Sequence, residues 1–316
     1  MKFQKKTGRY PSSASGEIVT YYMYIPETES VRGIVQIVHG MSEYVERYEP
    51  FIGYLLDARY IVCGEDHLGH GKSVKSEEDL GYIPGKDGWT KIVKDMHTLT
   101  VRMKQLHPGL PFFMLGHSMG SFLLRIYMTK YGKELDGALI SGTAAGDAGA
   151  FTFAGLSLVK AIELFKGRRY ISPLLAKIMF GGYNEKISDD SSPFAWLSVN
   201  KENVEKYEAD PLCGFPFTAS GSENLIRMLR DIGTDSWAKQ VPQDLPVLII
   251  SGDQDPVGDM GKGPKAVADK LKAAGVKDVE LKLYEGDRHE ILNENDKAIV
   301  WDDCLTWLNT HAEAAR

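Results

Sequence analysis

Ser118 stands at the centre of Gly116-His117-Ser118-Met119-Gly120, a Gly-x-Ser-x-Gly turn that follows the apolar run PFFML and opens a helical pattern. Acyl transfer needs a nucleophile that substrate can reach, and a serine hydroxyl alone is too weakly acidic to attack without a base. A sharp strand-to-helix turn solves the placement, lifting the serine above the end of a sheet while its glycines let backbone approach closely. The base must in turn be oriented by a carboxylate. Where this turn carries a triad, the chain order is serine, acid, histidine. The late run PVLIISGDQD supplies Asp253 and Asp255, and VELKLYEGDRH supplies His289. Both sets follow strand-like runs, and open parallel sheets place their sites at the carboxyl ends of strands. The tetrahedral oxyanion would be met by the N–H of the residue after the nucleophile, Met119, and by a second N–H from the loop after an early strand. The turn His39-Gly40-Met41 puts Met41 there.

Other histidines compete with His289 for the role of base. His39 and His117 lie in tight turns beside the site and read as holding backbone. His67 and His70, with Asp66, suggest part of a metal site. Zinc takes three or four ligands, no third partner is evident nearby, and no metal is expected. His97, His107 and His311 fall on helices or at their ends and read as solvated. Acyl transfer through a serine requires no cofactor, and none is expected.

The elements that must position these groups alternate. Residues 18–25, 33–38, 60–64, 111–115 and 137–141 read as short strands rich in β-branched and aromatic residues. Residues 48–59, 89–106 and 118–131 between them read as helices, the second stopped by Pro108 and Gly109. The rhythm breaks from about residue 146 to 237, where helical segments, aromatics and prolines run without a clear strand. It resumes with strands at 246–251 and 279–284 and helices near 264–274 and 297–310. Short apolar strands alternating with helices imply βαβ units and a mostly parallel central sheet flanked by helices. One sheet interrupted by a helical insertion accounts for the order: a core of residues 1–145 and 238–316, and a helical cap of residues 146–237.

The chain of 316 residues is long enough to bury a large core without covalent staples. Its formal net charge of −6 argues against a nucleic-acid partner and against simple adsorption to an anionic membrane. Three cysteines, Cys63, Cys213 and Cys304, are odd in number and widely spaced, so neither a disulfide framework nor a zinc site is indicated. Reduced thiols in a cytoplasmic protein are the reading, with Cys213 a small buried hydrophobe. The first residues carry lysines with no apolar stretch behind them, unlike a signal peptide, and nowhere do some ~18 apolar residues run together.

The longer motifs resemble one family, the monoacylglycerol lipase and lysophospholipase branch of the α/β-hydrolases. The resemblance is carried by HGMSEYVERY (39–48), DHLGHGKS (66–73), GHSMG (116–120), SGDQDPVG (251–258) and YEGDRHEILNE (284–294). It implies the α/β-hydrolase fold with an inserted helical cap. In that family the acid is the second aspartate of a Gly-x-x-Asp stretch, which implies Asp255 and leaves Asp253 to shape the loop. Family monoacylglycerol lipases also use an acidic residue and an arginine near the glycerol head, and Glu43 and Arg47 occupy the matching positions. One departure is Leu292, where those lipases often carry a further histidine; head-group recognition would differ accordingly. The ending RHEILNE is similar to bacterial lysophospholipases.

Residues 151–165 place Thr152, Ser157, Lys160 and Glu163 among Phe, Leu, Val and Ile, giving a broad apolar face and a narrow polar one. Most of that apolar face should pack on the core, while its edge would line an acyl tunnel and touch a membrane or micelle surface. The resulting reading is a Ser118–His289–Asp255 serine hydrolase cleaving lipid-like monoesters, lysophospholipid or monoacylglycerol. A small- or aryl-ester esterase or an aminopeptidase on the same triad is the alternative, and a non-catalytic ligand-binding homologue the rival from another class. Serine at the elbow disfavours a dehalogenase, which needs a carboxylate there. Oligomeric state is not legible.

Overall fold

The computed structural model describes residues 2–185, 187 and 192–315. The apolar runs form one eight-stranded sheet: β1 (Phe3–Pro11), β2 (Ile18–Pro26), β3 (Gly33–Val38), β4 (Tyr60–Glu65), β5 (Phe112–His117), β6 (Gly137–Ser141), β7 (Val247–Gly252) and β8 (Val279–Tyr284). Their order is β1-β2-β4-β3-β5-β6-β7-β8. β1 and β2 join antiparallel, and from β4 to β8 every pairing is parallel.

Strands covered on both faces need apolar side chains at successive positions, and the alternation sorts them. On β5, Phe112 and Met114 enter the larger core cluster with helices α2 (Gly88–Leu106) and α3 (Met119–Tyr131), whereas Phe113 and Leu115 face α1 (Glu49–Asp57) and α9 (Lys297–Ala314). Helix α8 (Lys262–Ala273) lies on the α2–α3 side, through Val267, Ala268 and Leu271. The strands expected from residue 18 onward all form, with ends shifted by two residues at most. β1 was not expected. Its side chains are mostly exposed and two successive lysines sit on it, the composition of a guarded sheet edge rather than of a core strand.

Between β6 and β7 the chain makes four helices, α4 (Ala150–Lys166), α5 (Pro173–Phe180), α6 (Lys201–Ala209) and α7 (Ala219–Gly233). α7 buries Leu225, Met228 and Ile232 in the core beneath it, and α4 rests on α7 through Val159 against Ile226. The expectation that most of the apolar face of α4 packs on the core is corrected. Phe151, Phe153, Leu164 and Phe165 are each at least 77% exposed, while Thr152, assigned to the polar face, is buried and bonds the Asp147 carbonyl at 2.6 Å. Two apolar stripes run along this helix, and periodicity alone does not say which one turns inward. Among the described residues no helix is long and apolar enough to cross a membrane. Cys63, Cys213 and Cys304 are unpaired and buried.

Candidate active site

The turn between β5 and α3 holds Ser118 at φ 52°, ψ −121°, a backbone state that side chains rarely adopt. It persists because its surroundings over-determine it. The Ser118 N–H donates to the Ser141 carbonyl at 2.9 Å, and the Ser121 N–H and hydroxyl both donate to the Ser118 carbonyl. Gly120 must be glycine, since a Cβ there would lie 2.0 Å from the Val38 carbonyl oxygen. Met119 heads α3, whose first amides have no acceptor within the helix. The loop after β3 brings Gly40 so close that a Cβ on it would be 3.1 Å from the Ser118 Cβ. Met41 follows at once, and Met41, Ser118 and Met119 line the same cavity.

Asp255 lies just beyond β7 and His289 beyond β8, both essentially inaccessible. His289 Nδ1 donates to Asp255 Oδ2 at 2.9 Å, and Asp255 Oδ1 accepts the Val257 N–H at 2.8 Å. With Nδ1 so engaged, Nε2 is left as the acceptor, and His289 faces the cavity that Ser118 lines. Among the described residues no hydrogen bond joins Ser118 to His289; such bonds often tighten only when substrate is present. Burial resists a charged imidazole, but the Asp255 charge and hydrogen bond, with Glu290 and Glu43 nearby, outweigh it and hold His289 above the ordinary 6.5. Asp253 is turned away: its Oδ1 accepts the Gly286 N–H at 2.9 Å and shapes the β8 exit loop.

Glu43 and Arg47 meet, though not as open ligand groups. Arg47 Nη1 donates to Glu43 Oε2 at 2.9 Å and to Glu290 Oε1 at 2.8 Å, and Nη2 donates to Glu290 Oε2 at 3.0 Å. Glu43 Oε1 accepts the Gly40 N–H and the Tyr48 hydroxyl, and Asn203 Nδ2 donates to Glu290 Oε2 at 2.7 Å. Glu43 forms part of the cavity wall, and Arg47 lies behind it with its guanidinium over the Tyr207 ring. Burial pushes the Glu43 carboxyl up, whereas Arg47 holds Glu290 ionised against the same burial. Sequence reasoning missed Glu290, although it directly follows His289. It also missed Asn203, which no local pattern marks.

The remaining histidines are mostly structural. His39 Nε2 accepts the His67 N–H at 2.9 Å, so its Nδ1 carries the proton and donates to the Gly40 carbonyl at 2.8 Å, bracing the loop after β3. His117 contacts Ser141 Oγ at 3.2 Å and is driven down to about 3, chiefly by burial. Asp66 spends its carboxylate on the Val45 and Lys72 amides and the Tyr22 hydroxyl. Among the described residues no group of three His, Cys, Asp or Glu side chains is placed to hold a metal ion. His97 and His311, expected to be solvated, are partly covered: His97 stacks on Tyr131 at 3.8 Å and His311 bonds the Trp307 carbonyl at 2.8 Å.

Above the serine opens a cavity of about 820 Å³, walled by apolar side chains of α4, α5 and α7 such as Leu158, Leu175, Met179 and Ile226. Trp196 closes over the imidazole of His289, ring centres 5.2 Å apart.

A mostly parallel sheet with helices on both faces and a strained serine at the strand-to-helix turn defines an α/β-hydrolase. The family model described as serine aminopeptidase, S33, matches residues 29–296, and the chain belongs to that family, in its monoacylglycerol-lipase-like branch. A monoacylglycerol lipase of Mycolicibacterium smegmatis is 27% identical over 95% of this chain and 96% of its own. The human monoglyceride lipase is 26% identical, covering 96% and 90%. Among solved structures, a highly thermostable carboxyl esterase from Bacillus coagulans in complex with glycerol superposes with a TM-score of 0.90, at 32% identity over 99% of both chains.

Proposed function

We propose that this carboxylic-ester hydrolase cleaves neutral monoesters of long-chain acids, monoacylglycerol before lysophospholipid, through an acyl-enzyme on Ser118. In this reading His289 Nε2 takes the Ser118 proton as Oγ adds to the ester carbonyl, and the N–H groups of Met41 and Met119 receive the oxyanion. The C–O bond to the alcohol then breaks as His289 returns the proton to the leaving oxygen. Water, deprotonated by His289, releases the acid, and Asp255 supports the imidazolium throughout. Residues 146–237 act as a cap that supplies the acyl-binding wall.

The observation that carries the head-group preference is the charge around the site. Lys177, on α5, is the cation among the described lining residues, while Glu43 and Glu290 both face the serine side and share Arg47 between them. A phosphodiester would meet carboxylates with no guanidinium free to pair with it. A glycerol head carries no charge and avoids that cost. The apolar walls favour long chains, since each buried methylene contributes ~0.8 kcal/mol. The same carboxylates speak against an aminopeptidase: their oxygens are already taken by Arg47, Tyr48, Asn203 and the Gly40 amide. The unpaired thiols fit a cytoplasmic setting.

A panel of monoacylglycerols, lysophosphatidylcholine, aryl esters from acetyl to dodecanoyl and an aminoacyl anilide tests this, with Ser118→Ala as control. Monoacylglycerol should lead, activity should fall steadily towards acetyl, and Ser118→Ala should lose turnover and fluorophosphonate labelling. Robust turnover by Ser118→Ala would refute the mechanism, and a sharp acetyl preference would refute the acyl-binding cap.

A further inference from the structure

Arg125 is among the largest fully buried side chains of the molecule, yet no carboxylate pairs with it among the described residues. It lies on α3, two turns after the nucleophile, and its Nη groups reach backbone carbonyls at the two places where the inserted helices join the core. On the outgoing side Nη1 donates to the Ala144 carbonyl at 2.7 Å and Nη2 to the Ala145 carbonyl at 3.3 Å. On the returning side Nη2 donates to the Ile232 carbonyl, at the end of α7, at 2.9 Å. The indole of Trp237, four residues past α7, covers the guanidinium at 4.3 Å. A helix C-terminus, carbonyls and an aromatic face are together a suitable cradle for a buried cation.

The two chain segments cross in direct backbone contact. A Cβ on Gly233 would lie 2.6 Å from the Asp147 backbone, one on Gly146 would lie 2.7 Å from the Gly233 nitrogen, and the Asp147 N–H donates to the Leu229 carbonyl at 3.0 Å. The same cluster reaches the nucleophile. Arg125 Nη1 donates to Thr143 Oγ1 at 3.4 Å, Thr143 Oγ1 lies 2.8 Å from Ser121 Oγ, and the Ser121 hydroxyl donates to the Ser118 carbonyl at 2.6 Å. Ala144, Asp147 and Leu229 line the acyl cavity, so the crossing also forms part of its wall.

We infer that Arg125 is a positioning residue that locks the root of the inserted helices to the nucleophile's own helix, keeping the acyl-binding wall seated over Ser118. This rests on the reading of Ser118 as nucleophile and of residues 146–237 as cap. Short esters need only the triad and the oxyanion amides, whereas long ones also need the wall. Loosening the root therefore raises KM for long chains selectively.

The test compares Arg125→Met and Arg125→Lys in the full chain on p-nitrophenyl acetate and dodecanoate, with hydrogen exchange followed at residues 142–149 and 229–235. Arg125→Met should raise KM for dodecanoate by about tenfold, leave kcat/KM for acetate within about threefold, and speed exchange at the root. Arg125→Lys, which keeps the charge, should recover part of each effect. Equal losses on both esters, or unchanged exchange, overturn the proposal. If Arg125→Met does not fold, Gly233→Ala prises the crossing apart without touching Arg125. The same chain-length split is then expected, and equal losses overturn it. A wild-type protein that cleaves neither ester would sink the functional reading instead, and the exchange comparison would still decide for or against the lock.

Discussion

Asp253 and Asp255 are chemically identical and two residues apart, and their surroundings give them different work. Asp255 is buried with one oxygen on His289 and the other on a backbone amide, so it can hold the ring in one tautomer and face the imidazolium. Asp253 is half-buried and braces the loop that delivers His289. Asp255→Asn should therefore cost on the order of 10⁴ in kcat, by analogy with the protease triad, while Asp253→Asn should cost little. The reverse ranking in steady-state assays would transfer the acid role to Asp253. The base must be neutral to accept a proton. Because His289 is held above 6.5, kcat/KM for the wild type should rise with pH through an apparent pKa above that value.

At the scale of elements, α4 is the part whose exposed surface needs explaining. Thr152, Gly155, Val159 and Ile162 recur along its inward stripe, and Phe153, Leu164 and Phe165 stand on the outside with Lys160 and Lys166 beside them. Large exposed aromatics rimmed by lysines suit a lipid interface, where the rings enter the acyl boundary and the ammonium groups stay with the head groups. Replacing Phe153 and Phe165 together by serine should weaken adsorption to phosphatidylcholine vesicles by roughly 30-fold, taking ~2 kcal/mol for two partly inserted rings. Turnover of a soluble short ester should stay unchanged, and vesicle co-sedimentation reads the first effect directly. Equal adsorption by wild type and variant would remove the interface role from α4.

The whole molecule carries a cluster of neutral, buried histidines beside the loop after β3. His39 and His67 stack at 4.0 Å, and burial drives His67 down to about 3 and His70 to about 4. A histidine depressed in the fold binds its proton more readily once unfolded. Its contribution is therefore present above the unfolded value of 6.5 and is lost as pH falls towards the folded one. Between about pH 7 and about pH 5 the wild type should lose about 2 kcal/mol more stability than His67→Phe. Urea unfolding of both proteins at the two pH values measures that difference, and parallel losses would show that His67 takes up no proton on unfolding.

Several features were legible because short-range physics decides them. Strands buried on both faces must be continuously apolar, so β3 to β7 announce themselves, whereas β1, a lysine-bearing edge, obeys no such demand. The turn at Ser118 was legible for a related reason: only small residues permit its close backbone approach, so the glycines mark it locally. Glu290 was not legible, because its role comes from facing Arg47, and that pairing joins the segment after β3 to the β8 exit across 243 positions. The sequence by itself determined the strands from β2 to β8 and the turn at Ser118, since each depends on contacts along a few neighbouring residues. Only the tertiary structure decided which aspartate meets His289, which stripe of α4 faces the solvent and why a lone arginine lies buried at the root of the inserted helices. Those outcomes depend on through-space packing between segments that have no common periodicity, and burial then sets how strongly each charge acts.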